Sequence, residues 1–150
     1  MLQHLWVLVL IIAMGLLLLL YLGLRSRARG VVELVRQEHG GAIRLLTGCG
    51  LVYDLNRVPG LLVLLPDRLL YRATLTAKAG EIPLQEIAAV IFEETGASRH
   101  RRVRKYRGAE VLEVTGPAEP VPLFVLRPVD ASSWREALTP LVQLDPQPGR

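Results

Sequence analysis

The sequence predicts a single N-terminal transmembrane helix followed by a mainly-β domain over residues 42–144, which a C-terminal helix closes. Three observations predict this fold class. Residues 5–24 contain no charged residue and include 18 apolar ones. Short β-type runs separated by turn residues fill most of the remaining chain, and a helical pattern around Trp134 comes last. A chain of 150 residues has room for one such domain and not for two.

The segment 5–24 is predicted to be a membrane-spanning helix. Twenty helical residues extend roughly 30 Å, which matches the hydrocarbon thickness of a bilayer. Aromatic residues lie near both ends, where they settle at the headgroup level. A cleaved secretory signal is the alternative, but residues 1–4 carry no Lys or Arg and the apolar run is followed directly by arginine. The span residues singled out are Leu5, Trp6, Leu16, Leu20, Tyr21 and Leu24.

Positive charge flanks only one end of this span. Arg25, Arg27 and Arg29 follow it, whereas nothing basic precedes it. Because positive flanks stay in the cytoplasm, we predict a short extracytoplasmic tail at 1–4, a juxtamembrane basic connector at 25–41 and a cytoplasmic domain. Sixteen of the 18 basic residues are Arg, a composition typical of GC-rich bacterial genomes. The predicted location is therefore the bacterial cytoplasmic (inner) membrane.

The sequence contains little that could carry a reaction. Cys49 is the single cysteine, and the histidines at 4, 39 and 100 are far apart, so structural zinc and an intrachain disulfide are excluded on count. The motifs GxSxG, GxxxxGK[ST], GxGxxG and HExxH are missing from the sequence. We therefore predict a protein that is not an enzyme, with no catalytic residue, no metal and no cofactor.

The β domain is predicted from apolar runs that alternate with turn residues. The expected strands occupy residues 43–53, 61–65, 69–75, 81–92, 109–114 and 121–126. The predicted turns are Val58-Pro59-Gly60, Pro66-Asp67, Ala79-Gly80 and Gly116-Pro117. The two runs on either side of the Pro66-Asp67 turn predict an antiparallel hairpin.

The last element is predicted to be a helix. Asp130 is a good N-cap, and Trp134 and Leu138 follow at helical spacing. Pro140 would strain a longer helix, which is therefore expected to end just before it. Trp134 has the apolar area to plug the open end of a β core. Residues 145–150 are predicted to be a flexible tail.

Three motifs precede the final helix in a distinctive order. They are VPGLLVL at 58–64, DRLLY at 67–71 and IPLQEIAAV at 82–90. With Trp134 in the terminal helix, this order resembles bacterial pleckstrin-homology-like (PH-like) and GRAM-like domains over about residues 42–144. The resemblance implies a bent antiparallel sheet or barrel of about seven strands and a binding or scaffold module. Only Arg44 and Arg57 lie near the first hairpin, which argues against carrying over phosphoinositide binding.

Positive charge is concentrated in residues 99–107, which we call the basic run. Outside this run and the three juxtamembrane arginines, nine basic residues face 14 acidic ones. The run is either a solvated loop partly neutralised by Glu93-Glu94 or a surface for anionic lipid headgroups. A nucleic-acid site is disfavoured because Tyr106 is the single interleaved aromatic residue. The candidate anionic-partner residues are Arg99, Arg101, Arg102, Arg104, Lys105 and Arg107.

These patterns together predict a binding or adaptor module rather than a catalyst. The expected partners are the bilayer itself, anionic lipid headgroups and another membrane protein. The alternative is a structural subunit of a membrane complex, in which the transmembrane helix carries the specificity.

Overall fold

The computed structural model describes residues 2–142, with side chains from Leu5 onward. Met1 and the predicted flexible tail at 145–150 lie outside the described residues. The chain divides into two compact units between Glu38 and His39. The first unit is helical, and the second contains an antiparallel sheet and a helix.

The described part of the first unit is helical throughout and forms α1, which spans Leu2–His39 and so ends one residue beyond the division. It is long and apolar enough to cross a membrane, a property that an N-terminal signal sequence shares. A core helix of a soluble protein would be buried, whereas every side chain of residues 5–24 is exposed. The predicted basic connector at 25–41 is also helical as far as His39, because no proline interrupts it. Gly40 follows with φ +44°, a left-handed conformation that ends helices.

The second unit contains seven strands and a helix. The strands are β1 (Leu45–Tyr53), β2 (Asn56–Leu64), β3 (Arg68–Ala73), β4 (Ala79–Pro83), β5 (Ala89–Glu94), β6 (Glu110–Thr115) and β7 (Leu123–Leu126), and the helix is α2 (Pro128–Leu138). Every strand pair is antiparallel, and the order across the sheet is β4-β3-β2-β1-β7-β6-β5. The predicted mainly-β domain with a C-terminal helix is confirmed.

Strand β1 joins the two halves of the sheet. It pairs with β2 along its whole length but with β7 only through Gly50–Val52. The strands at the two edges, β4 and β5, are nevertheless consecutive in the chain, with only residues 84–88 between them. A flat sheet of seven strands would hold its edges about 29 Å apart, whereas the chain from Pro83 to Ala89 reaches about 21 Å at most. The sheet must therefore be strongly curved.

The predicted turns at Val58-Pro59-Gly60 and Ala79-Gly80 are wrong, because the first lies inside β2 and the second forms the start of β4. The actual β1–β2 turn is Asp54-Leu55. The carbonyl of Pro59 accepts the N–H of Thr74, just beyond the end of β3. Because the N and C=O groups of one strand residue face the same neighbour, the nitrogen of Pro59 also faces this end of β3. Its missing N–H therefore interrupts only the last position of the β2–β3 ladder.

Gly60 reflects close packing rather than a turn. A Cβ atom at this position would lie 2.7 Å from Cδ1 of Leu51 and 2.9 Å from the carbonyl oxygen of Arg72. Because even a methyl group would overlap these neighbours, only glycine fits this place in β2.

The single strand predicted at 81–92 is two strands. A 3-10 helix at Leu84–Glu86 separates β4 from β5. Pro83 ends β4 because it has no N–H to continue the ladder. The N–H of Leu84 donates to the carbonyl of Asp67 instead, at 2.9 Å.

The predicted N-cap of the last helix, Asp130, is also wrong. Helix α2 begins at Pro128 with Arg127 as its N-cap, three residues earlier than predicted. Proline is suited to this first position because its φ is already helical and its missing N–H is not needed there. Asp130 lies in the first turn, where a carboxylate is stabilised by the helix dipole, and pairs with Arg127 at 2.7 Å.

The main core lies between the inner face of the curved sheet and α2. Every strand contributes at least one buried side chain to it. Trp134 of α2 is fully buried there, beside Ala131 and Leu138. The other large side chains that are fully buried in this core are Phe124, Leu51, Leu62, Leu64, Leu69, Leu112, Leu126 and Val90.

Candidate functional site

The β5–β6 loop, residues 95–109, covers part of the outer face of the sheet. Val103 at its centre is fully buried and packs against Val52 of β1, Val111 of β6 and Val125 of β7. Each of these three strand valines has a neighbour in the main core, so alternation along a strand places the valines on the opposite face. The basic run is therefore part of a folded loop that packs on the outer face of the sheet through the buried side chain of Val103.

Buried hydroxyl groups fix the path of this loop. The Thr95 side chain is fully buried, and its hydroxyl contacts the carbonyls of Tyr106 and Ala109 near the far end of the loop. The Ser98 hydroxyl, also fully buried, donates to Oε2 of Glu93 at 2.7 Å. Because buried hydroxyls need such partners, these contacts favour one conformation of the loop.

A carboxylate on β6 clamps the start of the basic run. Oε2 of Glu113 lies 2.6 Å from Nη2 of Arg99 and 2.8 Å from Nε2 of His100. Partial burial raises the pKa of Glu113, but the hydrogen bonds from Arg99 and His100 outweigh that effect and hold the pKa below its ordinary value. Glu93 adds a weaker pairing, since its Oε1 is 3.7 Å from Nε of Arg99.

The six candidate residues divide into two groups. Arg99 binds Glu113, Nε of Arg104 donates to the carbonyl of Ser98, and Nη1 of Arg102 donates to the carbonyl of Asp54. The side chains of the other three, exposed like those of the first three, form neither a hydrogen bond nor an ion pair in the described part of the chain. These three are Arg101, Lys105 and Arg107.

Arg57 is a member of this site that the sequence analysis did not select. Its guanidinium carbon lies 4.5 Å from the centroid of the Tyr106 ring, and Nζ of Lys105 lies 5.2 Å from the same centroid. Gly50 leaves room for this arrangement, because a Cβ atom there would overlap the Arg57 side chain. The register that pairs Arg57 with Val52 could have revealed the contact. Assigning residues 58–60 to a turn excludes this pairing, because β2 then begins only after Arg57.

The remaining candidate residues lie elsewhere. The span residues are in α1 and exposed, as are Arg25, Arg27 and Arg29 further along the same helix. Trp134 is in the main core rather than at a surface. The predicted span residues that are exposed on α1 are Leu5, Trp6, Leu16, Leu20, Tyr21 and Leu24.

The site's chemistry is electrostatic. Burial raises the pKa of the Cys49 thiol to about 12, although nearby Arg57 acts in the opposite direction. A thiol with so high a pKa is a poor nucleophile at neutral pH. Among residues 2–142, no group of three or more His, Cys, Asp or Glu side chains could hold a metal ion. The arrangement can attract and position an anionic group.

Comparisons with known proteins bear only on the fold. No family model matches the sequence, and no curated protein matches it. The chain is similar to the crystal structure of the C-terminal domain of an unknown protein from Leishmania infantum, with 16% identity and a TM-score of 0.51. The similarity covers 75% of this chain and 96% of that one.

Proposed function

We propose that this chain is a single-pass membrane protein that displays a PH-like binding or adaptor domain in the cytoplasm. The domain contacts an anionic partner, either lipid headgroups or an acidic surface of another membrane protein, through the basic run. The observation that carries this proposal is the exposure of Arg101, Lys105 and Arg107 on a loop whose conformation is fixed by buried contacts. Fixed and unneutralised cations favour recognition because little ordering is left for binding.

The PH-like assignment is supported by the order of the elements. A four-strand meander, β1–β4, is followed by a three-strand meander, β5–β7, and a C-terminal helix whose tryptophan is buried in the core. The curvature required by the short β4–β5 connection agrees with a bent sheet or barrel. The resemblance to GRAM-like domains implies the same bent sheet or barrel.

Membrane attachment and orientation are supported by α1. Its apolar part is exposed along the whole of residues 5–24. Arg25, Arg27 and Arg29 follow on one side only, which favours a cytoplasmic second unit in a bacterial inner membrane. Retention of α1 in the mature protein, rather than its removal as a signal sequence, is part of the proposal.

A binding role rather than catalysis is supported by the lack of an activated nucleophile at the site. The one thiol of the chain, that of Cys49, packs against the main core rather than under the basic run, and burial raises its pKa to about 12. Anion recognition needs only the positive charges that are present.

The proposal is tested on the full chain in lipid nanodiscs of neutral or anionic composition. Amide hydrogen exchange of the basic run is compared between the natural sequence and a triple variant, R101S, K105S and R107S. We expect protection in anionic discs only, loss of protection in the variant and sensitivity to salt. A matched triple variant at exposed cations elsewhere, R44S, K78S and R127S, is expected to keep the protection.

Equal exchange in neutral and anionic discs would overturn headgroup binding. Photo-cross-linking from position 101 in native membranes then tests the acidic protein partner. Absence of both the protection and a cross-linked protein would overturn the proposed function.

A second candidate function is a structural subunit whose transmembrane helix carries the specificity. It is favoured by the exposure of all side chains of residues 5–24, which leaves this surface available to other helices. Replacement of residues 5–24 by an unrelated apolar span distinguishes the two functions. Loss of a co-purifying membrane complex on this replacement, but not on the basic-run substitutions, would favour the structural subunit.

A further inference from the structure

The centre of the basic run follows a three-residue repeat. The N–H of Val103 donates to the carbonyl of His100 at 3.1 Å, and the N–H of Tyr106 donates to the carbonyl of Val103 at 2.9 Å. The N–H of Arg104 makes the same contact with the carbonyl of Arg101 at 3.4 Å. Hydrogen bonds between residues three apart are those of a 3-10 helix, in which side chains three apart lie above one another. The side chains of the run therefore form three rows.

One row faces the sheet. His100 contacts Glu113 on β6, Val103 is fully buried, and Tyr106 is partly buried beside the valines of the outer face. Burial follows the same repeat, because the residues between these three are all exposed. The other two rows of the run therefore face away from the sheet.

The second row consists of arginine alone, and we call it the arginine row. Its members are Arg101, Arg104 and Arg107, each one residue beyond a member of the sheet-facing row. All three are exposed, and none of their side chains forms an ion pair in the described part of the chain. Nε of Arg104 donates to the carbonyl of Ser98 at 2.8 Å, which holds the middle guanidinium while its Nη groups remain available.

The third row is already engaged by the protein itself. Nη1 of Arg102 donates to the carbonyl of Asp54, and Nζ of Lys105 lies 5.2 Å from the centroid of the Tyr106 ring. The arginine row makes no comparable contact with the hairpin or the aromatic ring. It is therefore the row of the basic run that is best placed to bind a partner.

We propose that the arginine row binds an acidic segment of another protein, whose carboxylates recur along one side of that segment. This inference rests on the proposed function and names an acidic polypeptide, rather than lipid headgroups, as the partner of the basic run. A 3-10 helix rises about 2.0 Å per residue, so the cations of the row recur about every 6 Å.

This spacing favours a polypeptide as the partner. Side chains on one face of an extended strand are about 7 Å apart, and those four residues apart on an α-helix are about 6 Å apart. Carboxylates in either arrangement match the arginine row. Successive phosphates of a DNA strand, in contrast, are about 3.4 Å apart along the helix axis. Headgroups that diffuse in a bilayer adapt to any arrangement of cations, so a regular row gives them no advantage.

The kind of side chain agrees with this partner. A guanidinium group binds a carboxylate through two parallel hydrogen bonds, whereas the ammonium group of lysine acts as a point charge. A row made of arginine alone can therefore fix both the position and the orientation of successive carboxylates.

The experiment uses the full chain in neutral nanodiscs and a synthetic peptide in which glutamate and serine alternate. Fluorescence anisotropy of the labelled peptide compares two double variants, R101S with R107S and R102S with K105S. Each removes two positive charges from the same loop, so the two differ in the row that is altered. We expect the first to weaken binding by at least about tenfold and the second by less than about threefold.

A conservative pair, R101K with R107K, keeps the charge but removes the paired hydrogen bonds. We expect it to weaken binding of the peptide as well. Amide exchange of residues 95–109 checks that the loop remains folded in each variant. Equal losses in the two serine variants would overturn recognition by the arginine row, because charge alone would then explain the binding.

Two further probes separate failure of this inference from failure of the proposed function. Tighter binding of single-stranded oligothymidylate than of the peptide would overturn the inference in favour of nucleic acid. Protection of the basic run in anionic discs, without binding of the peptide, would overturn the inference and leave headgroup binding in place. Absence of both the protection and the peptide binding would overturn the proposed function as well.

Discussion

The guanidinium carbon of Arg57 on β2 lies 4.5 Å from the centroid of the Tyr106 ring in the β5–β6 loop. This contact joins two segments that are distant in sequence and fixes one end of the basic run to the outer face of the sheet. Gly50 on β1 is the residue that makes room for it, because any side chain there would occupy the place of the Arg57 side chain. The position of the loop therefore depends on three separate parts of the chain.

The substitution G50A is expected to move Arg57 away from Tyr106 without unfolding the sheet, since the group it overlaps is a flexible side chain. Loss of the cation–π contact should cost about 0.5–1 kcal/mol at this exposed site. Hydrogen exchange of residues 95–109 should become faster. The matched control is G48A, because it lies on the same face of β1 with no atom within 4 Å of the added Cβ. Equal exchange in the two variants would contradict this account.

Val103 is expected to determine whether the basic run stays on the sheet. Because it is fully buried, V103A should lower the free energy of unfolding by about 1–3 kcal/mol through lost burial and a cavity. V103D should detach the loop, because an unpaired carboxylate would be buried. Chemical denaturation measures the first effect, and loop amide exchange measures the second. V129A, at an exposed valine, should change stability by less than about 0.5 kcal/mol.

The clamp at Glu113 predicts a dependence on pH. Its pKa is held below the ordinary value of 4.5 in the folded chain, so its contribution to stability is complete above that value. The contribution is lost as the pH falls through the lowered pKa, because the protonated carboxyl no longer pairs with Arg99. NMR signals of the loop amides should therefore shift on acidification below about pH 4.5.

The variant E113Q should already have a loosened loop at neutral pH and a smaller change in this acidic range. The variant E94Q, at an exposed carboxylate of β5, should behave like the natural sequence. Identical titrations of E113Q and the natural sequence would show that Glu113 is not the titrating group.

Trp134 leaves its indole N–H without a hydrogen-bond partner in the described part of the chain, although the side chain is fully buried. An unsatisfied buried donor costs roughly 1–3 kcal/mol. Replacement by phenylalanine removes this donor while keeping most of the apolar area, so W134F should change stability much less than W134A. The latter should cost about 3–5 kcal/mol. Thermal and chemical unfolding followed by circular dichroism compares the two variants, and equal losses would contradict the argument.

Local sequence patterns were sufficient to predict the N-terminal apolar helix, most of the strands and the C-terminal helix. The uninterrupted apolar run of residues 5–24 and the short runs between turn residues depend on neighbours in sequence, which periodicity detects directly. The assignment of 58–60 to a turn was wrong because Pro59 and Gly60 are also compatible with a strand. Proline fits at the end of one ladder, and glycine fits where Leu51 approaches closely. Neither circumstance is visible before the strands are paired.

The candidate surface was predicted only in part for the same reason. The basic run is obvious from its composition, but its six cations are not equivalent. The Arg99 side chain pairs with Glu113, whereas the side chains of Arg101 and Arg107 have no ion pair or hydrogen bond in the described part of the chain. The burial of Val103 depends on β1, β6 and β7, which come together only in the folded sheet. A lone valine among charged residues carries no periodic signal.

Because Val103 is buried, the fold of this loop depends on where the apolar residue stands among the charged ones, and not only on how many charges the run contains. A shuffled run with the same residues would keep the isoelectric point and the net charge of the chain, yet it would present a charged side chain to the valines of the outer face. Homologous loops should therefore be recognised by an apolar residue at their centre and small β-branched residues on the strands beneath it. Basicity by itself is a poor guide to descent in this loop, since unrelated loops reach the same charge without this anchor.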